Sequence, residues 1–551
     1  MPRAGVYLGV TRTRCAAWMS AALATAWLLP APRPAAAAAP PNASLPVLVG
    51  GNVNGVPSDP AGAAAAYGRL AAAGVRFARF DIRWSRVEPR PGVFDFGAVD
   101  AQVDSVRAAG LRVLGILDYG NPRYSTAARA ASATPLAGGI PPFGVGAAET
   151  FPPDDPATFA RFAGAVASHL RGRVMAYEIW NEENEGWRFW APHEDAAAYA
   201  RLLRLAHDAV ARADRSAQVL FGGVFFPAVP PGLPGMAGDR FLAACYAADP
   251  HLGQVFDGVA YHPYPYPFTS PEYDAPVRGS VVAARDAMEA VLAAHGDGAR
   301  PLWVTEVGWP TQAGYGVSRE KQAEYLVRAA AASAAQGVAA FTWYTYADFP
   351  DRSGVDQEAA FGLFDARGSA KPAYTALRVM TSTLAGTSRA RPRDDVRGAD
   401  HAILAFGVGR RVTVLWNSPE GAATDQGAAP AASRVSVAAV PVGGSGTVSA
   451  VSMAGEAAPV GVASGMARVA VTTAPVYLVE SATPAGAAPA TVRAQSLGEA
   501  TSGDALPDTT ATGAGVSAPA AALSATIAAL IRGRRRRARV AAVPRRGSRR
   551  G

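Results

Sequence analysis

Between residues 46 and about 384, short apolar runs alternate with longer amphipathic ones. The apolar runs are rich in β-branched and aromatic residues. They predict strands over 47–52, 75–81, 111–118, 174–181, 218–223, 256–262, 302–307 and 339–345. Alanine-rich stretches with apolar residues at helical spacing lie between them and predict helices, among them 59–73, 155–170, 196–213, 281–295 and 318–336, with a last one over 371–384. Aspartate or serine stands at several helix starts, and Gly74, Gly110 and Gly337 stand at ends, as unsatisfied helix termini prefer. Eight strands, each followed by a helix, predict an α/β chain closed into a (β/α)8 TIM barrel over 40–384. An open doubly wound sheet is the alternative, but no glycine-rich dinucleotide fingerprint follows the first strand.

After Gly386 the period changes from helical to alternating. Residues 401–406, 412–417, 435–440, 447–453 and 469–479 read as strands broken by Gly, Pro and Ser, and predict a small all-β sandwich over 385–480. Residues 481–505, rich in Ala, Thr, Pro and Gly and without aromatics, read as a disordered linker. Residues 506–551 hold Leu506-Pro507-Asp508-Thr509-Thr510, a mostly apolar stretch from 514 to 531, and an arginine tail. By composition this is a short membrane segment with a positive flank. At the other end, Arg3, Arg12 and Arg14 precede an apolar run from 15 to 31 and small residues up to Ala39. That order predicts a secretory signal peptide over 1–39, with an uncleaved anchor as the alternative.

Charge changes meaning once the ends are set aside. Ten arginines lie from Arg532 onward and four before Ala39; without those fourteen, the formal charge of +8 becomes −6. The body is therefore mildly acidic, and no nucleic-acid partner is expected. Cys15 lies in the predicted signal, which leaves Cys245 alone in the mature chain. No intrachain disulfide is then possible, and Cys245 reads as core.

Two predicted strands end in carboxylates. Residues 174–187, V-M-A-Y-E-I-W-N-E-E-N-E-G-W, run from an apolar strand into Asn181-Glu182 and a polar loop. Residues 302–309, L-W-V-T-E-V-G-W, carry Glu306 in the same setting. These are the fourth and seventh strands, whose carboxyl ends share the mouth of a barrel, where such folds build their sites. Two carboxylates about 5–5.5 Å apart are what hydrolysis of a glycosidic bond by double displacement requires. Other residues take roles from their places. Arg79 would hold a carboxylate ionised, or pair with Asp81 or another acid. His262 and Tyr264 would hydrogen-bond Glu306 or a sugar, unless the histidine is a core residue. Trp343 would be the flat floor under the reacting sugar, or barrel packing. Glu178 reads as a structural, hydrogen-bonded acid. Trp187 and Trp190 shape subsites or fill the core.

Several pieces together resemble clan A glycoside hydrolases, family 39-like enzymes above all, with family 5 a close rival. They are Arg83-Trp84-Ser85 with Glu88-Pro89 and Pro91-Gly92, Glu178-Ile179-Trp180-Asn181-Glu182, His262-Pro263-Tyr264, Thr305-Glu306-Val307-Gly308-Trp309 and Lys371-Pro372-Ala373-Tyr374. The resemblance covers more than half the chain. It implies a retaining hydrolase of a polysaccharide or oligosaccharide in which Glu182 is the acid/base, Glu306 the nucleophile, and Asn181 the partner of the sugar's 2-hydroxyl. Glu183 stands where that family commonly has proline. The Leu506–Thr510 motif likewise resembles a sortase sorting signal, L-P-x-T-G, with Thr510 in place of glycine. The expected protein is thus a monomer, secreted and retained at a bacterial-type cell surface. It needs no cofactor and no metal, since no H-E-x-x-H, calcium loop or phosphate loop occurs. The competing reading is a catalytically inactive surface protein that only holds carbohydrate.

Overall fold

The computed structural model describes residues 44–132, 146–227, 232–265, 268–273, 280–313, 316–349, 357–418, 434–443 and 446–481. The predicted signal peptide and the tail from 506 onward lie outside these residues, as does the linker apart from Ser481. Eight parallel strands follow one another around a closed barrel. They are β1 (Leu48–Asn52), β2 (Phe77–Arg83), β3 (Arg112–Asp118), β4 (Ala176–Asn181), β5 (Gln218–Phe225), β6 (Gly258–His262), β7 (Leu302–Val307) and β8 (Ala340–Trp343). Closure is the pairing of β8 onto β1, from Leu48↔Ala340 to Gly51↔Trp343. The fold is the predicted barrel and not the open sheet.

The described helices of the barrel are α1 (Pro60–Ala72), the short α2 (Trp84–Val87), α3 (Gly97–Ala108), α4 (Thr126–Ser132), α5 (Pro156–His169), α6 (Ala196–Ala213), α7 (Gly238–Ala248), α8 (Val281–Ala294), α9 (Arg319–Ala335) and α10 (Pro372–Leu384). The sequence dictates them locally. In α6, Tyr199, Leu202, Leu203, Ala206 and Val210 recur at helical spacing and are buried, and Asp195 caps the first turn by accepting from the Ala198 amide. Asp59, Asp155, Ser280 and Ser318 cap α1, α5, α8 and α9 in the same way, each cap contributing roughly 1 kcal/mol.

One ring of side chains fixes which way every strand faces. Phe77, Leu114, Ala176, Leu220, Ala260, Trp303 and Ala340, from seven of the strands, pack together inside the barrel. Two residues further along, on the same inner face, come Arg79, Ile116, Glu178, His262 and Thr305. The intervening residues, such as Ile82, Tyr177, Val304 and Phe341, join the large core between strands and helices. Two of the recurrent sequence pieces are braces. Trp84 Nε1 and the Gly92 amide donate to the Glu88 carboxylate at 2.6 and 2.7 Å, locking the loop after β2. The buried Lys371 ammonium donates to Asp348 at 3.0 Å and fastens the start of α10.

Beyond α10 come β9 (Arg389–Pro392), β10 (His401–Gly407), β11 (Arg410–Trp416), β12 (Ser436–Pro441), β13 (Thr447–Ser452), β14 (Ala457–Pro459), β15 (Val462–Ala463), β16 (Met466–Val471) and β17 (Val476–Ser481). A six-stranded sheet in the order β14-β13-β17-β11-β10-β9 faces a three-stranded sheet, β12-β16-β15, across an apolar layer that includes Leu415, Val440, Val469 and Leu478. The single strand expected over 469–479 is two strands. The chain leaves β16 at Val471, crosses at Thr472–Pro475, and re-enters the other sheet as β17. Pro475, which lacks an amide donor, stands in that break. The other face of the large sheet shares the barrel's core through Ile403, Val412, Val414 and Trp416.

Candidate active site

Arg79 is the hub of the barrel mouth. It is 1% exposed, and every nitrogen of its fork is engaged. Nε and Nη2 donate to the two oxygens of Glu178 at 2.9 and 2.8 Å, a bidentate pair. Nη1 donates to Glu306 Oε1 at 2.5 Å and to Asn52 Oδ1 at 3.0 Å, and Nη2 reaches Asn181 Oδ1 at 3.1 Å. Burial alone would lower the pKa of this guanidinium, but the Glu178 and Glu306 carboxylates reverse that and hold it well above the ordinary range. Glu178, which burial would raise, is pulled down to about 2 by Arg79 and His262. It is the structural acid expected, and its partner is Arg79.

Regular alternation would not bring Asn181 and Glu306 to the mouth. On β4 the residue after inward Glu178 is outward Ile179, and Trp180 should then face in. Instead Trp180 adopts φ +70° and also packs outward, 4.8 Å from Trp190 and 5.8 Å from Phe159 by ring centroids, with its Nε1 on the Phe189 carbonyl. That break in the pleat turns Asn181 inward onto Arg79 and lets Glu182, at φ +50°, follow. Two left-handed non-glycine residues within three positions are costly, and such strain gathers at working sites. On β7 the register against β8 shifts between Val304 and Val307, so Thr305 and Glu306 both face in. β5 is irregular between Phe221 and Val224, where Gly222 and Gly223 lie. A side chain at Gly223 would run into Glu178 and His262, so the two polar residues require a bare backbone there.

His262, buried at the end of β6, bridges the pair. Its Nδ1 is 2.7 Å from Glu182 Oε1 and 3.8 Å from Glu306 Oε2, and its Nε2 is 3.1 Å from Thr305 Oγ1. Burial would lower its pKa, but Glu306, Glu178 and Glu182 together raise it to about 9, so the ring is an imidazolium at neutral pH. Tyr264 donates its hydroxyl to Glu306 Oε2 at 2.9 Å. One oxygen of Glu182, one of Glu306 and a ring nitrogen of His262 all lie within 4.8 Å of one another. Such a donor set could also surround a divalent ion, but Arg79 already brings a full positive charge to Glu306.

The structure thus gathers Glu182, Glu306, Asn181, Arg79, His262 and Tyr264 into one cluster. Trp343 does not join it. That ring is 1% exposed and stacks at 6.0 Å on Trp309, which in turn meets Tyr325 of α9, so it belongs to the layer between strands and helices. Alternation explains the correction: Ala340 faces in, so Trp343 faces out. The next ring, Tyr344, is partly exposed, within 6.5 Å of Tyr264 and in the field of Glu306. Trp190 is core as well, packed on Trp180 and Tyr199, whereas Trp187 is partly exposed beneath the Arg188 guanidinium. Asn52, Thr305 and Tyr344 are the members that sequence reasoning passed over. Asn52 ends the first strand, and that position was its only signal.

No family model matches this chain, and no curated protein matches it in sequence. Solved structures do match in shape. A family 39 glycoside hydrolase from the gut symbiont Bacteroides cellulosilyticus WH2 aligns over 79% of this chain and 81% of its own, at 21% identity and a TM-score of 0.59. A GH39 enzyme from Xanthomonas axonopodis pv. citri aligns over 81% and 96%, at 18% identity and a TM-score of 0.57. A monomeric beta-xylosidase from Caulobacter crescentus CB15 aligns over 81% and 97%, at 17% identity and a TM-score of 0.57. At these identities the likeness is one of fold: this chain shares the fold of these solved glycoside hydrolases.

Proposed function

We propose that the protein is a retaining glycoside hydrolase that cleaves O-glycosidic bonds of a polysaccharide or oligosaccharide, with Glu306 as nucleophile and Glu182 as acid/base. The observation that carries this reading is the approach of a Glu182 oxygen and a Glu306 oxygen to within 4.8 Å at the mouth of the barrel. A spacing that short leaves no room for a water between nucleophile and sugar, which favours double displacement over inversion. Arg79 and Tyr264 each engage one oxygen of Glu306 and orient its carboxyl group toward the anomeric carbon. Glu182 delivers a proton to the leaving oxygen, and His262 Nδ1, 2.7 Å away, keeps that proton within reach. In the second step Glu182 takes a proton from water, which attacks the glycosyl-enzyme and frees Glu306. Asn181, anchored on Arg79, would meet the sugar's 2-hydroxyl. In this reading the enzyme works as a monomer, is exported, and is held at the envelope by its C-terminal tail.

The test starts with 4-nitrophenyl β-glycosides, the xyloside first because one structural neighbour is a beta-xylosidase. Glu306→Ala should abolish turnover, and added azide should restore it with a product of inverted configuration. Glu182→Ala should still form the glycosyl-enzyme from an activated substrate, and azide should then yield a product of retained configuration. Exchange of the two azide products would reverse the roles. Absence of hydrolysis across a glycan panel would favour the inactive carbohydrate-binding alternative.

A further inference from the structure

Two carboxylates at the mouth have no task in this mechanism. Asp81 lies on β2 two residues beyond Arg79, and Asp118 ends β3, where it pairs in register with Arg83. Both belong to the inner face. Phe77, Arg79 and Asp81 form one inward row, and Leu114, Ile116 and Asp118 form the next. Asp118 is 0% exposed, yet among the described residues neither of its oxygens has a hydrogen-bond partner. Asp81 is open to solvent, and among the described residues nothing hydrogen-bonds or ion-pairs with it. Its potential cations are committed elsewhere: Arg79 to Glu178 and Glu306, and Arg83 to Glu149. Burial raises Asp118 well above the usual carboxylate range, and Asp81 adds to the shift. Although its side chain reaches open solvent, desolvation by the walls of the mouth raises Asp81, Arg79 and Arg83 oppose that, and Glu306 and Glu178 add to it, so both acids stand in the field of the reaction site.

A buried carboxyl without donors is among the more expensive features a barrel can carry, and a binding site is the usual reason for one. We propose that Asp81, with Asp118 behind it, recognises the glycone, accepting hydrogen bonds from ring hydroxyls of the sugar whose anomeric carbon faces Glu306. This rests on the hydrolase reading and deepens it. The geometry suits the role, since the two strands flank β1 and β4, whose Asn52 and Asn181 are tied to Arg79. Asp81 offers two acceptor oxygens to the open mouth, which matches a ligand that presents adjacent O–H groups, and Asp118 lies behind it on the next strand.

The experiment takes the full-length protein and whichever 4-nitrophenyl β-glycoside of xylose, glucose, mannose or galactose it turns over best. That substrate is compared with its 3-deoxy and 4-deoxy congeners in the wild type and in Asp81→Ala. For one congener the wild type should lose about 10- to 100-fold in kcat/KM, the worth of a hydrogen bond to a charged group. Asp81→Ala should lose a similar factor on the parent and little more on that congener. Equal losses on parent and congeners, or an unchanged parent rate, would overturn the proposal. Asp118→Leu separates recognition from folding: Tm should hold or rise while kcat/KM falls, because the change removes an unpartnered buried carboxyl. A fall in Tm with unchanged kcat/KM would refute the part given to Asp118. If no glycoside is hydrolysed, titration calorimetry of the same glycosides decides. Binding that Asp81→Ala abolishes keeps this proposal while the hydrolase reading fails. Equal binding by both proteins overturns the proposal, and no binding by the wild type overturns both.

Discussion

Glu183 occupies the place next to the acid/base candidate, and its side chain turns away from the mouth. It is 0% exposed, the Tyr199 hydroxyl lies beside it but no well-formed hydrogen bond reaches either oxygen among the described residues, and it packs against Gly222 so closely that a methyl group there would collide with it. Burial pushes its carboxyl up to about 8, so the folded chain keeps a proton that the unfolded chain has already released at neutral pH. The sign follows from linkage. Between the unfolded value near 4.5 and the folded value near 8, the native state binds the extra proton, so stability falls as pH rises through that window and levels off above it. At pH 7 the gap of about 2.5 units corresponds to roughly 3 kcal/mol as an upper figure. Glu183→Gln keeps the shape and removes the titration. The variant should therefore match the wild type near pH 4.5 and exceed it by about 2–3 kcal/mol at pH 8. Denaturant unfolding at pH 5, 6, 7 and 8 on both proteins measures this, with unchanged far- and near-UV circular dichroism as a check on the fold. Parallel stability curves would refute the reasoning and mean that Glu183 is ionised in the native state.

Gly223→Ala should sharply lower activity and stability, by about 2 kcal/mol or more, because the new methyl group displaces Glu178 or His262; a Tm within a degree of wild type would contradict that packing. His262 is raised to about 9, so its contribution to stability is complete below about 6.5 and is lost as pH climbs through 9. The stability gap between wild type and His262→Gln should accordingly narrow by about 2 kcal/mol from pH 6 to 9.5, and a constant gap would show the ring to be neutral throughout. If the proposed function and anchorage hold, deleting everything after Glu480 should leave a soluble protein that keeps the wild-type activity and is released from the cell surface. Fractionation that still finds the truncated protein with the envelope would show that the tail is not the anchor.

The elements themselves were legible along the chain. Each barrel strand announces itself as a β-branched, aromatic run, and the helices by their apolar spacing and caps, because these patterns reflect local burial and local hydrogen bonding. The same reading drew attention to Glu182 and Glu306, since an acid at the end of an apolar strand stands out against its neighbours. Contacts across the barrel were another matter. That Arg79 serves Glu178 and Glu306 at once, and that Asn52 joins them, depends on residues up to 254 positions apart meeting in one ring. Strict alternation applied to the sequence would have turned Glu306 and Asn181 outward and left the mouth without them. Only the left-handed backbone at Trp180 and the register shift between Val304 and Val307 turn them in. Such breaks arise from pairing with neighbouring strands, which no local period encodes. Trp343 is the converse case, where composition suggested a sugar platform and alternation sent the ring into the helix layer. Asp118 belongs here too: as a residue type it is an ordinary strand-end aspartate, and its lack of a hydrogen-bond partner among the described residues exists only in three dimensions.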